Sequence, residues 1–126
     1  MTKEIIYSTQ APDPIGPYSQ AVKVGDLVFL SGQIATQKST GNMITGNITD
    51  ETEQVMKNLG EVLKAAGLDF SHVVKSTIFL KSMDDFPKVN EVYGSRFPAQ
   101  PPARETVQVS RLPRDVNVEI SCIASK

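Results

Sequence analysis

Two charged residues in the C-terminal part of the chain, Arg104 and Glu119, have the types and spacing for hydrolytic chemistry. The planar guanidinium group of an arginine binds a carboxylate through two parallel hydrogen bonds. A glutamate orients a water molecule or removes its proton. The pair therefore suggests a site that clamps a carboxylate and directs a water molecule, although a surface ion pair worth under about 1 kcal/mol would use the same residue types.

Two predicted strands position this pair. They cover Glu105–Val109 and Val116–Ala124, both rich in β-branched residues, and a six-residue loop joins them. If the strands pair as a hairpin about this loop, Arg104 and Glu119 lie diagonally across them, with backbones roughly 7 to 8 Å apart. One ligand would then reach both side chains.

The hairpin also predicts which residues share each face of the sheet, because successive side chains alternate between faces. The expected core face is apolar and consists of Val107, Val109, Val116, Val118, Ile120 and Cys122. The expected polar face consists of Arg104, Thr106, Gln108, Asn117, Glu119 and Ser121. Glu105 is expected on the face opposite Arg104, where its carboxylate would not neutralise the guanidinium group.

Two helices are expected to cover the core face. A capping-box pattern at Asp50 and apolar residues at helical spacing predict a first helix that ends at Gly67. A second helix is predicted after Asp84 or Asp85, and prolines from Pro98 onward end it. Each helix has one apolar stripe, which indicates an α+β fold with a mixed sheet and both helices on one face.

The rest of the chain supplies further strands. A two-residue spacer, Gly25-Asp26, between β-branched segments predicts a tight hairpin. The stretch 36–49 is rich in Gly, Asn and Thr and is expected to form a surface loop or ribbon. Val73–Leu80 is short, apolar and β-branched, and it is predicted to be a strand.

The composition narrows the possible chemistry. The 126 residues include one His and one Cys, so neither a metal site, an internal disulfide nor a Ser–His–Asp arrangement is expected; His72 and Cys122 are expected to be structural. A net charge of −1 and 6% aromatic residues argue against nucleic-acid binding. We expect one domain over residues 1–126 in a reducing cytoplasm, since neither a membrane-spanning run nor a signal-peptide pattern is present.

Six short motifs, in order over nearly the whole chain, resemble those of the RidA (YjgF) family. They are IGPYSQA at 15–21, SGQI at 31–34, VNEVY at 89–93, PAR at 102–104, RLP at 111–113 and VEI at 118–120. The resemblance implies a chorismate-mutase-like α+β subunit. It also implies a homotrimer with sheets inside, helices outside and three clefts between subunits.

The resemblance implies an activity as well. Members of the family hydrolyse the reactive 2-aminoacrylate, 2-iminopropionate and 2-iminobutyrate to 2-keto acids and ammonia, without a cofactor. These unstable compounds leave pyridoxal-phosphate dehydratases and inactivate other such enzymes. Small imino and keto acids are therefore the expected ligands, with no membrane partner.

The motifs also indicate which residues of this chain correspond to the family's site residues. Arg104 resembles the carboxylate-binding arginine, and Glu119 resembles the acid that holds the hydrolytic water. The remaining substrate-binding positions by resemblance are Tyr18, Ser31, the main chain at Gly32, Phe86 as an apolar wall, Asn90 and the amide of Thr106. Each has a structural alternative: Tyr18, for example, suits a packed aromatic residue, and Ser31 suits a strand-end hydroxyl bonded to the backbone.

Two departures and two other functions stay open from the sequence. Many relatives have cysteine where this chain has Thr106 and a second acid where it has Ser121, so any role of those side chains would be changed.

One alternative function is a non-catalytic ligand-sensing, regulatory or chaperone-like trimer of the same fold. The other is RNA binding or cleavage, which a steep loss of binding with salt would indicate.

Overall fold

A six-stranded mixed sheet with two α-helices on one face forms the fold. The computed structural model describes residues 2–126. The strands are β1 (Glu4–Ile6), β2 (Ala21–Val24), β3 (Leu27–Gln33), β4 (Val73–Leu80), β5 (Ala103–Gln108) and β6 (Val118–Ser125), and the helices are α1 (Ile48–Ala65) and α2 (Phe86–Gly94). The strand order is β1-β2-β3-β6-β4-β5, with β4 and β5 parallel and the other neighbours antiparallel. The predicted α+β class is confirmed.

The predicted tight hairpin joins β2 and β3. Val24 pairs with Leu27, and Gly25 between them has φ +61°, a conformation that glycine adopts without strain. The stretch 36–49, expected as a loop or ribbon, is closed by a single bridge between Thr36 and Met43, and its last residues belong to α1.

The first helix begins before the predicted cap. Its N-cap is Asn47, whose side-chain oxygen accepts a hydrogen bond from the Asp50 backbone N–H at 2.8 Å. Asp50 therefore lies in the first turn, where a negative charge is favourable for the helix dipole. At the other end the Leu68 N–H donates to the Leu63 carbonyl at 2.9 Å, and Gly67 has φ +76°. This glycine-based cap ends α1 as predicted.

The second helix starts without the predicted aspartate cap. Asp85 occupies the N-cap position of α2, but its side chain makes no capping hydrogen bond. Instead the Ser82 hydroxyl accepts from the Asp84 N–H at 3.1 Å and starts a short 3-10 turn that leads into the helix. Phe97, which follows α2, packs against the ring of Tyr93 with a centroid distance of 4.7 Å.

The predicted C-terminal hairpin is wrong, because β4 lies between β5 and β6. Thr106 of β5 pairs with Ile78, and Glu119 of β6 pairs with Phe79. Alternate residues of the apolar strand β4 are buried, so a central position removes more apolar surface from water than an edge position would. The polar strand β5 takes the edge, where charged residues are tolerated.

This strand order changes the assignment of faces. The predicted parity is confirmed in β6, whose core-facing residues are Val118, Ile120 and Cys122. It is wrong in β5, since Arg104 pairs with the buried Ser76 and so points toward the helices, as does Thr106. Val107, expected in the core, lies on the uncovered face and is 43% exposed. Arg104 and Glu119 are therefore on opposite faces of the sheet.

The face of the sheet opposite the helices is uncovered and partly apolar. Ile5, Val22, Phe29 and Ile123 form one row across four neighbouring strands. Ile5 is 54% exposed and Phe29 is 43% exposed. Exposed apolar patches of this kind mark interaction surfaces. Within residues 2–126, neither helix has the length and apolar character needed to cross a membrane.

Candidate active site

Glu119 lines a cleft of about 340 Å³ next to the junction of β3 and β6. The cleft is lined by Ile15, Tyr18, Ser31, Gly32, Ile34, Pro113 and Glu119. Four of the predicted site residues, from three separate motifs, are therefore brought together. Ile15 and Ile34 lie in two of those motifs and Pro113 in the RLP motif, but none was predicted as a site residue, because an apolar wall has no chemical signature in a sequence.

A β-bulge in β3 creates the floor of this cleft. Leu30 pairs with Cys122 and Gln33 pairs with Ile120, so two residues of β3 lie opposite one residue of β6. A Cβ atom built on Gly32 would lie 2.3 Å from Oε2 of Glu119. Only glycine therefore allows the carboxylate to lie against the main chain at this point.

Ser31, the other bulge residue, ties the strand to the segment that carries Tyr18. Its hydroxyl donates to the Ser19 carbonyl at 2.6 Å, and its N–H donates to the Gln20 carbonyl at 2.9 Å. Tyr18 itself is 49% exposed, so its ring is a wall open to solvent rather than part of the core. The Ser31 oxygen keeps its acceptor capacity toward the cleft.

Burial raises the pKa of the Glu119 carboxyl above its ordinary value. Within the part of the chain that the structure describes, no cationic side chain forms an ion pair with it to offset that effect. A carboxylate with a raised pKa is a stronger proton acceptor. Glu119 is thus suited to hold and polarise a water molecule.

Arg104 occupies a second pocket, under α2. Its Nη1 donates to Oδ1 of Asn90 at 2.5 Å, and its guanidinium carbon lies 5.5 Å from the Phe86 ring centre and 5.2 Å from that of Tyr93. Phe86, predicted as an apolar wall, therefore contacts the guanidinium group by a cation–π interaction. A pocket of about 460 Å³ adjoins these groups.

The backbone N–H of Thr106 points to the free edge of the sheet, which β5 forms. The Val109 N–H donates to the Leu80 carbonyl at 2.9 Å, and amides along an edge strand alternate between the neighbouring strand and solvent. The Val107 amide therefore faces β4, and the Thr106 amide faces the free edge. Among the described residues the Thr106 hydroxyl is buried and has no hydrogen-bond partner.

Tyr93 also contacts Arg104, although it was not among the predicted site residues. Its ring lies under the guanidinium group, and burial raises the pKa of its hydroxyl, although the nearby Ser76 and Arg104 partly oppose the shift. The signal was present in the sequence, because Tyr93 follows Asn90 by three residues and so shares its helix face.

Other titratable groups lie apart from both pockets. Glu105 is on the face opposite Arg104, where a hydrogen bond from Lys75 and another from Thr77 lower the pKa of its carboxyl. The Cys122 thiol is buried, which raises its pKa to about 12. His72 accepts the Asp69 N–H in a capping box. Within residues 2–126, no group of three or more His, Cys, Asp or Glu residues could hold a metal ion.

The site residues thus form two sets within one chain. Tyr18, Ser31, Gly32 and Glu119 line one cleft. Asn90 and Arg104 line the pocket near β5, where Phe86 packs against the guanidinium group and Thr106 lies two residues along the strand. Side chains on opposite faces of a sheet point away from each other, so one chain does not direct Arg104 and Glu119 at the same small ligand.

Comparison with known proteins identifies the family. The model of the family described as endoribonuclease L-PSP matches residues 8–126. A RutC family protein of Pyrococcus horikoshii is 50% identical over 98% of both chains. A Mus musculus protein named 2-iminobutanoate/2-iminopropanoate deaminase is 48% identical over 97% of this chain and 90% of its own.

Solved structures agree with this assignment. Escherichia coli TdcF, solved with bound serine, is 40% identical and superposes with a TM-score of 0.92 over 98% of both chains. The family model covers both helices, β2 to β6 and every motif noted in the sequence. The chain therefore belongs to the endoribonuclease L-PSP family, the RidA (YjgF) family that its motifs resemble.

Proposed function

We propose that this protein is a deaminase that hydrolyses 2-imino and 2-enamino acids to 2-keto acids and ammonia. The observation that carries the proposal is the pair of half-sites: an arginine held by Asn90 and two aromatic rings, and a glutamate of raised pKa in a separate cleft. The deaminase name of the mouse relative supports the same substrate class. 2-Aminoacrylate, 2-iminopropionate and 2-iminobutyrate are the proposed substrates.

The two half-sites meet between subunits in this proposal. Arg104 and Glu119 lie on opposite faces of the sheet, so a ligand that touches both needs the arginine of one subunit and the glutamate of another. The uncovered apolar row that includes Ile5 and Phe29 supplies a surface for that contact. We therefore propose a homotrimer of single-domain subunits with three active sites at their interfaces, as the family resemblance implies.

In the proposed mechanism, positioning lowers most of the barrier. Arg104 and the Thr106 amide hold the substrate carboxylate, while Asn90 and the two aromatic rings hold Arg104 in place. Glu119 directs a water molecule at the carbon of the protonated imine and takes its proton. Protonated Glu119 then returns that proton to the nitrogen of the carbinolamine. The C–N bond breaks and ammonia leaves while the hydroxyl group gives its proton to Glu119 and becomes the carbonyl of the keto acid.

This chemistry needs little from the protein because a protonated imine is already electrophilic. Hydroxyl and main-chain groups near Ser31 and Gly32 would stabilise the developing alcohol. The proposed role is protection of pyridoxal-phosphate enzymes from unstable products of serine and threonine dehydratases. We further propose a reducing, cytoplasmic setting, in which the single buried thiol of Cys122 stays free.

RNA cleavage is the second candidate, because the matching family model is described as an endoribonuclease. The charge does not favour it: the net charge is −1, and four of the 13 Lys and Arg side chains are paired with carboxylates, namely Lys38, Lys75, Lys81 and Arg96. RNA binding that falls steeply between about 50 and 200 mM salt would revive this candidate. A ligand-sensing trimer would bind keto acids without accelerating imine hydrolysis.

An imine-hydrolysis assay tests the proposed activity. A dehydratase generates 2-iminobutyrate in situ, and the release of ammonia and keto acid is measured with and without the protein. We expect the wild type to accelerate release, and Arg104→Ala to lose nearly all of the acceleration. Arg96→Ala, which removes an arginine bonded to Glu53 elsewhere on the surface, is the matched control. A wild-type rate equal to the spontaneous rate would refute the proposed deaminase activity.

A further inference from the structure

Glu51, near the start of α1, is fully buried at 0% exposure, yet the proposed chemistry does not use it. Its Oε2 accepts hydrogen bonds from the backbone N–H groups of Asn117 at 2.8 Å and Val118 at 3.3 Å. Its Oε1 accepts a third, from the side-chain amide of Asn117 at 2.8 Å. Both oxygens are therefore occupied, and the donors belong to Asn117 and Val118, the residue before β6 and its first residue.

Glu51 has no charged partner to explain its burial. Within residues 2–126, no Lys, Arg or His side chain lies within ion-pair distance of it. A buried carboxyl group is unfavourable unless hydrogen bonds replace its hydration. Here three hydrogen-bond donors replace the hydration of the carboxylate. Glu51 therefore binds this short segment through hydrogen bonds rather than through a charge network.

The segment that Glu51 holds leads directly into the candidate site. Glu119 is the next residue after Val118, and Pro113, six residues before Glu119, lines the same cleft. Between them Arg114 and Asp115 have φ of 57° and 55°, which is a strained conformation for residues other than glycine. A backbone that arrives through such a turn needs an external contact to fix where the following strand begins.

We propose that Glu51 is a positioning residue for Glu119: it fixes the start of β6 and so holds the Glu119 carboxylate over Gly32. This inference rests on the proposed deaminase function. Because Arg104 and Asn90 lie on the other side of the sheet, the contact should affect how water is directed and not how the substrate carboxylate is bound. Its loss should therefore lower kcat and leave KM nearly unchanged.

The test uses the whole protein and two substitutions at the same position. Glu51→Ala removes the acceptor, and we expect kcat to fall about tenfold or more with KM within about twofold of wild type. Glu51→Gln keeps an acceptor oxygen for the two backbone amides, and rotation of the Asn117 amide matches the introduced N–H₂ group. We expect this conservative change to restore kcat to within about threefold of wild type.

Glu53→Ala, two residues along α1, is the matched control because its carboxylate bonds to Arg96 and not to β6; it should leave both constants unchanged. A folded Glu51→Ala protein with wild-type kcat, or with only KM altered, overturns the proposal. If Glu51→Ala does not fold, Asn117→Ala removes one of the three hydrogen bonds and must lower kcat; unchanged kcat there also overturns it. A wild type without activity would instead refute the deaminase function itself.

Discussion

Arg104 is held from three directions by its own chain. Asn90 accepts a hydrogen bond from Nη1, and the rings of Phe86 and Tyr93 lie within about 5.5 Å of the guanidinium carbon. An arginine fixed in this way loses less conformational freedom when it binds a carboxylate than a free surface arginine would. A preorganised Arg104 suits the proposed substrates, which are unstable and must be bound before they decay.

Gly32 gives the first prediction at the residue scale. Since an added Cβ would lie 2.3 Å from Oε2 of Glu119, Gly32→Ala should displace the carboxylate and lower kcat about tenfold or more. The measurement is steady-state imine hydrolysis. Gly46→Ala is the control, because a Cβ there would meet nothing within 4 Å. Equal activity of the two variants would show that the close approach at Gly32 is not needed.

The pH profile gives a second prediction. Burial raises the pKa of Glu119, so its basic form exists only above a value higher than the ordinary glutamate pKa of about 4.3. We expect kcat/KM to fall as the pH is lowered through that raised value, which gives the pH profile an acid limb. The residual activity of Glu119→Gln should show no such limb. An acid limb that is unchanged in the variant would assign it to another group.

The same shift affects stability with the opposite sign. A group whose pKa is raised in the folded state favours folding at low pH, and this contribution is lost as the pH rises through the folded-state value. Ionised Glu119 is thus unfavourable for the fold at neutral pH. Glu119→Gln should raise the unfolding temperature at pH 7 by on the order of a degree or two, measured at constant protein concentration.

At the scale of elements, the helices and strands follow from local sequence, but their order in the sheet does not. The spacing of Val55, Leu59 and Val62 and the cap at Gly67 define α1 well, since both signals act within a few residues. The position of β4 between β5 and β6 depends on burial of a distant segment. No pattern within the last two strands reveals it, and the hairpin assumption failed for that reason.

The sequence allowed the residues of the candidate site to be proposed, but not their geometry. The residue types of Arg104 and Glu119 indicated their chemistry, and the motifs identified Tyr18, Ser31, Gly32 and Asn90 as neighbours. Their separation onto two faces followed only from the strand order. Glu51 gave no signal, because a carboxyl group in the first turn of a helix is ordinarily explained by the helix dipole.

The cap of α1 gives a prediction at this scale. Asn47→Ala removes the oxygen that accepts the Asp50 N–H and should lower the free energy of unfolding by about 1 kcal/mol. Asn47→Ser keeps a capping oxygen and should lose much less. Thermal unfolding at one protein concentration measures both. Equal stability of the two variants would mean that the side-chain cap does not contribute.

At the scale of the whole molecule, one face of the sheet is not covered by the chain's own helices. Helices cover one face, whereas the other presents an apolar row and the Glu119 cleft. The Arg104 pocket lies at the free β5 edge. A ring of three subunits would cover the apolar row and bring each edge to a neighbour's cleft. The particle should then have about three times the 13.7 kDa mass of one chain.

Complementation between inactive variants tests the shared site most directly. Arg104→Ala and Glu119→Gln subunits are each expected to form trimers with only a small residual activity. When they are unfolded together in equal amounts and refolded, random assortment pairs an intact arginine with an intact glutamate at about one interface in four. The account predicts recovery of about a quarter of the wild-type activity in the mixture. Mixed trimers that form and remain inactive would contradict a site shared between subunits.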